Sequence, residues 1–210
     1  MLSRTDIIKE LGKGISFYPF SGDKIKGNAL NLTVSEYAWS LCSGSIWIDS
    51  SDNIFSMRPS IPNNYTEYKI YEKKSAVIEH KGVKYVVLLP LSTTLIETNE
   101  VISIGNNIGG EYNSKVKLVS KGACHIGTYL EPNYRGHSLI AIHSISQYPI
   151  LLPLNSVFAA ITFSYLHREV SQSLRGAPGS RFEILNSVGI FLTEHEKMVY
   201  LHNGKMIRMR

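Results

Sequence analysis

Short runs in which apolar and polar residues alternate, separated by turn-forming residues, recur along most of this 210-residue chain. A period of two places the apolar side chains on one face of a strand, and the β-branched and aromatic residues in these runs favour strands over helices. The runs occupy residues 15–18, 30–34, 76–80, 84–89, 138–145 and 156–165. Residues 81–83 predict a tight hairpin between two of them, and residues 43–45 predict a loop. Many short strands with few helices between them predict a mainly β protein with a β-barrel or jelly-roll architecture.

One clear helix is predicted, at the amino terminus. Ser3 and Asp6 have the spacing of a capping box, and Ile7, Ile8 and Leu11 form one apolar face behind it. Two glycines shortly after this face are expected to end the helix.

The carboxy-terminal residues differ in composition from the rest of the chain. Residues 171–181 are rich in glycine, serine and arginine, which predicts a flexible basic segment, and residues 198–209 predict a β-hairpin around an Asn-Gly turn. We therefore expect a barrel domain over residues 1–170 and a small arm and hairpin extension over residues 171–210.

Composition excludes several classes of protein. Hydrophobic residues make up 43% of the chain, enough for one well-filled core, while the net charge of +5 is spread out and predicts no nucleic-acid partner. Cys42 and Cys124 lack the paired spacing of a zinc site or a disulfide framework, so no zinc is expected. With neither an export signal nor a membrane-length apolar run, we predict a cytoplasmic protein with no membrane association.

The stretch from residue 105 to residue 144 contains most of the side chains suited to ligand binding. Asn113, Ser114 and Lys115 follow a glycine pair, so that the backbone can approach an anion while the lysine supplies a positive charge. This combination predicts a phosphate-binding segment. Farther along, a turn containing proline and asparagine brings Glu131, Tyr134 and Arg135 close together, where they can contact one ligand.

These segments resemble motifs of the trimeric dCTP deaminases and dUTP diphosphatases, the dUTPase-like superfamily. Residues 113–115 are similar to its Arg-Ser-Ser phosphate motif, and residues 130–136 are similar to its Ile-Asp-x-x-Tyr-Arg-Gly motif. Residues 1–10 and 89–94 are similar to segments of the deaminase branch. The resemblance covers residues 1–170 and implies a homotrimer, a nucleotide ligand and, where the ligand is a triphosphate, Mg²⁺.

The resemblance also implies roles for individual side chains. Glu131 aligns with the aspartate that activates the attacking water in the diphosphatases, and Tyr134 aligns with a ring that stacks on the deoxyribose or the base. Arg135 belongs to the same motif. Arg175 and Arg181 lie in a segment similar to the mobile arm that closes over the triphosphate, which implies that they contact the nucleotide.

Several positions depart from the pattern of the deaminases. Ala141 stands where those enzymes have the glutamate that transfers protons, so ordinary deamination is expected to be lost. Leu118 aligns with the arginine that helps to fix the nucleophilic water, and Asn31 aligns with the aspartate of an early strand motif. His143 follows Ala141 on the same face of the predicted strand and is the nearest group that could take over proton transfer.

Three functions remain open from the sequence. The first is a protein that binds a pyrimidine deoxynucleotide or a related nucleotide without deaminating it, as a regulator, sensor or sequestering protein. The second is a nucleoside triphosphate diphosphatase that uses Glu131 as its general base together with Mg²⁺. The third is a trimeric scaffold that serves only protein interactions.

Overall fold

The computed structural model describes residues 1–60, 64–170 and 180–192. The helices in these residues are α1 (Arg4–Glu10), α2 (Val116–Val119) and α3 (Ser180–Ser187). The strands are β1 (Ile15–Tyr18), β2 (Ile25–Lys26), β3 (Ala29–Ser40), β4 (Gly44–Ile48), β5 (Ile54–Phe55), β6 (Thr66–Ile70), β7 (Val77–His80), β8 (Val83–Leu88), β9 (Thr93–Ile104), β10 (Ile108–Ser114), β11 (Ala123–Cys124), β12 (Tyr129–Leu130), β13 (Arg135–Ser144), β14 (Ile150–Pro153) and β15 (Val157–Tyr165).

Within the described part of the chain, nine strands form a main antiparallel sheet. Its order is β11-β13-β9-β3-β15-β10-β12, with β1 beside β9 and β2 beside β3, and it curls into a half-barrel. Two smaller sheets, ordered β14-β8-β7 and β5-β4-β6, complete the strand pairing. The mainly β, barrel-like fold class predicted from the sequence is therefore confirmed.

The amino-terminal helix begins at the predicted capping box. The Ser3 hydroxyl accepts a hydrogen bond from the Asp6 amide at 3.3 Å, and the Asp6 carboxylate accepts one from the Ser3 amide at 3.0 Å. Ile7 is fully buried, but Ile8, which was predicted to share its apolar face, is exposed. Gly12 follows the helix with a φ of 75°, a conformation that glycine adopts without strain.

Strand β8 lies between two apolar clusters. Val86 and Leu88 pack into the main core of the barrel, whereas Val87, which points to the opposite face, packs with Ile46 and Ile48 in a second cluster. The strand therefore buries side chains on both of its faces.

The turn signals were correct at one position and wrong at another. The hairpin between β7 and β8 turns at Lys81 and Gly82, which have φ values of 49° and 77°, as predicted. Residues 43–45 were expected to form a loop, but β4 already begins at Gly44. A Cβ atom at this position would lie 2.9 Å from a methyl group of Leu89, so this glycine permits close packing instead of a turn.

A buried glutamate, Glu100, connects two inner strands of the main sheet. The Glu100 carboxylate, which is fully buried, accepts hydrogen bonds from the Thr33 amide at 2.8 Å and the Thr33 hydroxyl at 2.7 Å, and pairs with the Lys24 ammonium. These contacts compensate the cost of burying the charge and fix β3 beside β9.

Helix α3 packs on the face of the main sheet that points away from the core, here called the outer face. Leu185 and Ile190 are buried there against Trp39 and Leu95, with Ala141 also in the cluster. The sequence did not predict this helix. The predicted hairpin at residues 198–209 lies outside the described residues, and no helix in the described part of the chain is long and apolar enough to cross a membrane.

Candidate functional site

The predicted phosphate segment lines a surface groove. Asn113 and Ser114 end β10, and Lys115 precedes α2, so all three residues lie where the chain turns away from the sheet. Together with Lys117 and Glu111 they border a concavity of about 650 Å³, here called the Lys115 groove. Two ammonium groups on one wall favour an anionic ligand.

Lys115 is held by a residue distant in sequence. Its Nζ donates a hydrogen bond to the Asn31 Oδ1 at 3.0 Å, and Asn31 itself is buried in β3. An amide does not neutralise the ammonium charge, and an ammonium group has three donors, so Lys115 can contact a phosphate while it remains bonded to Asn31. Asn31, one of the departures from the deaminase pattern, thus contacts Lys115 of the predicted phosphate segment.

His125 adjoins the same groove through Ser114. The Ser114 hydroxyl accepts a hydrogen bond from the His125 amide at 2.6 Å. The His125 ring packs edge-on against Tyr112 and lies 3.0 Å, through Nδ1, from the Ala141 carbonyl. Because a carbonyl only accepts, Nδ1 carries the proton.

The other ring nitrogen of His125 is an acceptor when the ring is neutral. Its Nε2 lies 3.1 Å from the Thr128 hydroxyl, which can donate to it. Burial lowers the pKa of His125; the hydrogen bond to the Ala141 carbonyl opposes this, and the nearby His143 adds a further lowering. His125 is therefore neutral at physiological pH and can accept a proton.

Glu131 lies on an exposed turn with a fixed backbone. The Tyr134 amide donates to the Glu131 carbonyl at 3.2 Å, and the Asn133 amide donates to the Gly105 carbonyl at 3.1 Å. Asn133 has a φ of 64°, which asparagine tolerates better than most residues. The turn therefore presents the Glu131 carboxylate to solvent from a defined position.

Tyr134 and Arg135 follow at the start of β13. The Tyr134 hydroxyl donates to the His137 carbonyl, and its ring packs partly against the main core. The Arg135 guanidinium is exposed and donates a long hydrogen bond of 3.4 Å to the Ser103 hydroxyl. Tyr134 is thus anchored at its hydroxyl end, whereas Arg135 can reorient.

The turn and the groove do not meet within one chain. Leu130 pairs with Gly110, which places Glu131 opposite Gly109, four positions before Asn113 on β10. At a rise of about 3.4 Å per residue the separation along the strand is about 14 Å. Glu131 and Lys115 therefore lie at opposite ends of one ladder and are too far apart for a shared contact with a single phosphate.

Ala141 and His143 lie on the same face of β13, as predicted, but in different surroundings. Ala141 pairs with Leu95 and packs in the apolar cluster beneath α3. His143 pairs with Thr93, and its Nδ1 lies 2.9 Å from the Thr93 hydroxyl. Leu118, at the position of the family arginine, is buried in the core.

The remaining predicted site residues fall outside what the structure describes. Arg175 belongs to residues 171–179, and the side chain of Arg181 is likewise outside the described residues. Among the side chains that are described, no group of three or more His, Cys, Asp or Glu could hold a metal ion.

The contacts of Asn31 and His125 had no signal in the sequence. Asn31 precedes Lys115 by 84 positions and drew attention only as a departure from a motif. No motif in the sequence pointed to His125. The pairing of β3 with β15 and of β15 with β10 brings Asn31 beside Lys115, and that pairing cannot be inferred from local patterns.

Comparison with known proteins identifies the fold. No protein-family model and no curated protein sequence matches this chain. The structure is similar to that of a 2′-deoxycytidine 5′-triphosphate deaminase from Agrobacterium tumefaciens, with a TM-score of 0.52 and 12% identity. The match covers 92% of this chain but 54% of the deaminase, so the chain spans about half the length of that structure.

Two dUTPases are similar over smaller parts of the chain. The EIAV dUTPase matches with a TM-score of 0.36 and 18% identity, covering 47% of this chain and 89% of the dUTPase. A dUTPase mutant from phage phi11 of S. aureus, whose structure shows the coordination of a structural Mg(II) ion, matches with a TM-score of 0.37 and 16% identity. This match covers 43% of this chain and 77% of the dUTPase. The likeness to the deaminase establishes a dCTP deaminase/dUTPase-like fold.

Proposed function

We propose that this chain, which has the dCTP deaminase/dUTPase-like fold, binds a pyrimidine deoxynucleotide through its phosphates in the Lys115 groove and does not deaminate it. The observation that supports this most directly is the position of Asn113, Ser114 and Lys115. All three line one groove of about 650 Å³, and a second ammonium, that of Lys117, lies on the same wall.

The chemistry of the groove suits a phosphate more than a neutral ligand. An ammonium–phosphate hydrogen bond is charge-assisted and is roughly twice as strong as a bond between neutral groups. The Asn113 amide and the Ser114 hydroxyl can add directional hydrogen bonds to phosphate oxygens. Glu111 lines the same groove and would repel an anion, which favours phosphate binding at the lysine end.

A homotrimer would complete the site. Within one chain Glu131 lies about 14 Å along the ladder from Asn113, too far for both residues to contact the same nucleotide phosphate. In a closed three-fold assembly each turn can face the groove of the next subunit, so that one subunit supplies phosphate contacts and its neighbour supplies Tyr134 for the sugar or base.

The absence of deamination follows from the surroundings of Ala141. Attack of water on a cytosine ring requires a group that removes a proton from the water and delivers protons to the ring and the departing ammonia. Ala141 has no such group, and it packs with Trp39 and Leu95 beneath α3. His143, two residues after Ala141 on β13, is the nearest group on this face that could transfer a proton, and it forms a hydrogen bond with Thr93.

Calorimetry with matched ligands tests this proposal. We expect dCTP and dUTP to bind more tightly than deoxycytidine and deoxyuridine at constant ionic strength, with no ammonia released from dCTP. Equal affinity for nucleotide and nucleoside would contradict phosphate recognition. Ammonia release from dCTP would contradict the proposed absence of deamination. If His143→Ala then lost this activity, the deamination would be assigned to His143.

A diphosphatase is the second candidate, supported by the exposed carboxylate of Glu131 on its fixed turn. The carboxylate would accept a proton from the attacking water. Glu131 is the one carboxylate of this turn, so Mg²⁺ would take most of its ligands from the triphosphate and would neutralise phosphate charge there. Pyrophosphate release that disappears in Glu131→Gln, with binding retained, would establish this function; no release by the natural chain would exclude it.

A further inference from the structure

The residues that border the Lys115 groove carry opposite charges at its two ends. Lys115 and Lys117 border one end, and Glu111 borders the other. Glu111 and Asn113 project from the same side of β10, because Tyr112 between them is buried in the core. At a rise of about 3.4 Å per residue, Glu111 lies about 14 Å along the chain from Lys115. The groove is therefore long enough to hold an anionic group at the lysine end and an uncharged group beside Glu111.

The Glu111 carboxylate is available to a ligand. The Glu111 side chain is exposed, and it makes no hydrogen bond or ion pair with any residue in the described part of the chain. The Asn113 amide donates to the backbone carbonyl of Glu111, at 3.2 Å, and leaves the carboxylate unused. A Cβ atom on Gly127 would lie 3.6 Å from the Glu111 Oε1, so this glycine leaves space beside the carboxylate. Both carboxylate oxygens can therefore accept hydrogen bonds from a ligand.

Two cross-strand neighbours flank Glu111. Tyr129 on β12 lies opposite Glu111 on one side, and Thr162 on β15 lies opposite it on the other. Residues directly opposite each other project from the same face of a sheet, with Cβ atoms about 4.5–5.5 Å apart. The Tyr129 side chain is 81% exposed, so its ring is open to a ligand beside the carboxylate. A nucleobase can stack on this ring while its edge reaches Glu111.

Small side chains form the floor of the groove. Ala160 pairs with Asn113, Ala29 pairs with Thr162, and both alanines line the groove. Their methyl groups leave room for a flat ring above the sheet and give it an apolar surface. An apolar floor with a few polar groups at its edge is typical of a small-molecule site.

A carboxylate distinguishes cytosine from uracil. It only accepts hydrogen bonds, and cytosine presents an exocyclic amino group, N4, that donates them. Uracil has a carbonyl oxygen, O4, at the same position, so two acceptors would face each other. The ring N–H of uracil, at N3, lies between two carbonyl oxygens, which repel a carboxylate that approaches it. Glu111 therefore favours cytosine.

We propose that Glu111 reads the base of the bound nucleotide and that the groove selects cytosine over uracil through the exocyclic amino group. The phosphates lie at Lys115 and Lys117, the ring lies over the alanine floor against Tyr129, and the amino group donates to Glu111. This inference rests on the proposed binding of phosphates in the groove and adds the identity of the base.

Calorimetry with three triphosphates tests the proposal: dCTP, dUTP and the N4,N4-dimethyl analogue of dCTP, which has no amino hydrogen. We expect the natural chain to bind dCTP at least about fivefold more tightly than either of the others, the lower end of the range for such a base contact. Glu111→Gln should reduce this preference to less than about twofold, because an amide both donates and accepts. Glu67→Gln removes an exposed carboxylate from β6, outside the main sheet, and should keep the preference.

The ratio of the dCTP and dUTP affinities separates base reading from phosphate binding. Removal of the Glu111 charge should strengthen the binding of every triphosphate, because one negative charge leaves the groove, but only a loss of base reading changes the ratio. Tyr129→Ala should weaken dCTP and dUTP binding by similar factors, since stacking on an aromatic ring tolerates every base.

Three results would overturn the proposal. They are equal affinity of the natural chain for dCTP and either of the other triphosphates, an unchanged ratio in Glu111→Gln, and unchanged affinities in Tyr129→Ala. If any of them occurs while triphosphates still bind more tightly than nucleosides, base reading by Glu111 fails and phosphate binding stands. Equal affinity for triphosphates and nucleosides would instead refute the phosphate binding on which this inference rests.

Discussion

Replacement of Lys115 by alanine is the sharpest test of the phosphate groove. The Lys115 Nζ lies 3.0 Å from the Asn31 Oδ1, which holds the ammonium at the wall of the groove. A hydrogen bond between charged groups contributes about 1.5–3 kcal/mol, so the variant should bind dCTP or dUTP about 10- to 150-fold more weakly. Affinity for the nucleosides should not change, because they carry no phosphate.

Two matched variants separate binding from stability. Lys115→Ala leaves the buried Asn31 oxygen without its Lys115 donor, which should lower the free energy of unfolding by about 1–3 kcal/mol. Asn31→Ala removes the same hydrogen bond but keeps the ammonium charge, so it should retain most of the triphosphate affinity. Lys117→Ala removes one exposed positive charge from the same wall and should weaken binding less than Lys115→Ala.

The assay is calorimetric titration at constant ionic strength, after urea denaturation has shown that each variant is folded at the working temperature. An equal loss of affinity for nucleotide and nucleoside in Lys115→Ala would refute the reasoning. So would a larger loss in Lys117→Ala, since the phosphate would then be bound at the outer end of the groove.

Three further predictions concern stability. Glu100→Gln should lower the free energy of unfolding in urea by about 3 kcal/mol, because it leaves the Lys24 ammonium without its charged partner; a loss below 0.5 kcal/mol would contradict a structural function for this pair. Gly110→Ala should cost about 1–3 kcal/mol in thermal melts, since the new Cβ would lie 3.0 Å from the Thr162 carbonyl, whereas Gly22→Ala, with no atom within 4 Å of its Cβ, should be nearly neutral. Because burial lowers the pKa of His125, the unfolded chain binds a proton that the folded chain does not, so stability should fall as the pH drops below about 6.5; His125→Gln should flatten that slope, and an NMR titration showing an unshifted pKa would contradict it.

The strands and the first helix could be predicted because their signals are local. Ser3 and Asp6 cap α1 through contacts three residues apart, and the Lys81-Gly82 turn needs no information from elsewhere in the chain. Gly44 was misassigned because its role depends on Leu89, which is distant in sequence. Helix α3 was not predicted because, among its described side chains (residues 183–187), only Leu185 is buried, so its apolar face becomes evident only where it packs on the sheet.

The candidate site was predictable in its parts but not in its arrangement. The types and order of residues 113–115 indicated an anion-binding segment, and the structure places them in one groove. The partners Asn31 and His125 reach that groove through strand pairing, which no local pattern encodes.

The two-sided burial of β8 has a consequence for how the protein unfolds. Val86 and Leu88 belong to the main core and Val87 belongs to the second cluster, so neither cluster can open without exposing the other side of the same strand. The barrel and the smaller sheets should therefore lose structure in one cooperative transition. In native-state hydrogen exchange, the amides of β8 should exchange only through global unfolding, with the same free energy as the slowest amides of β9.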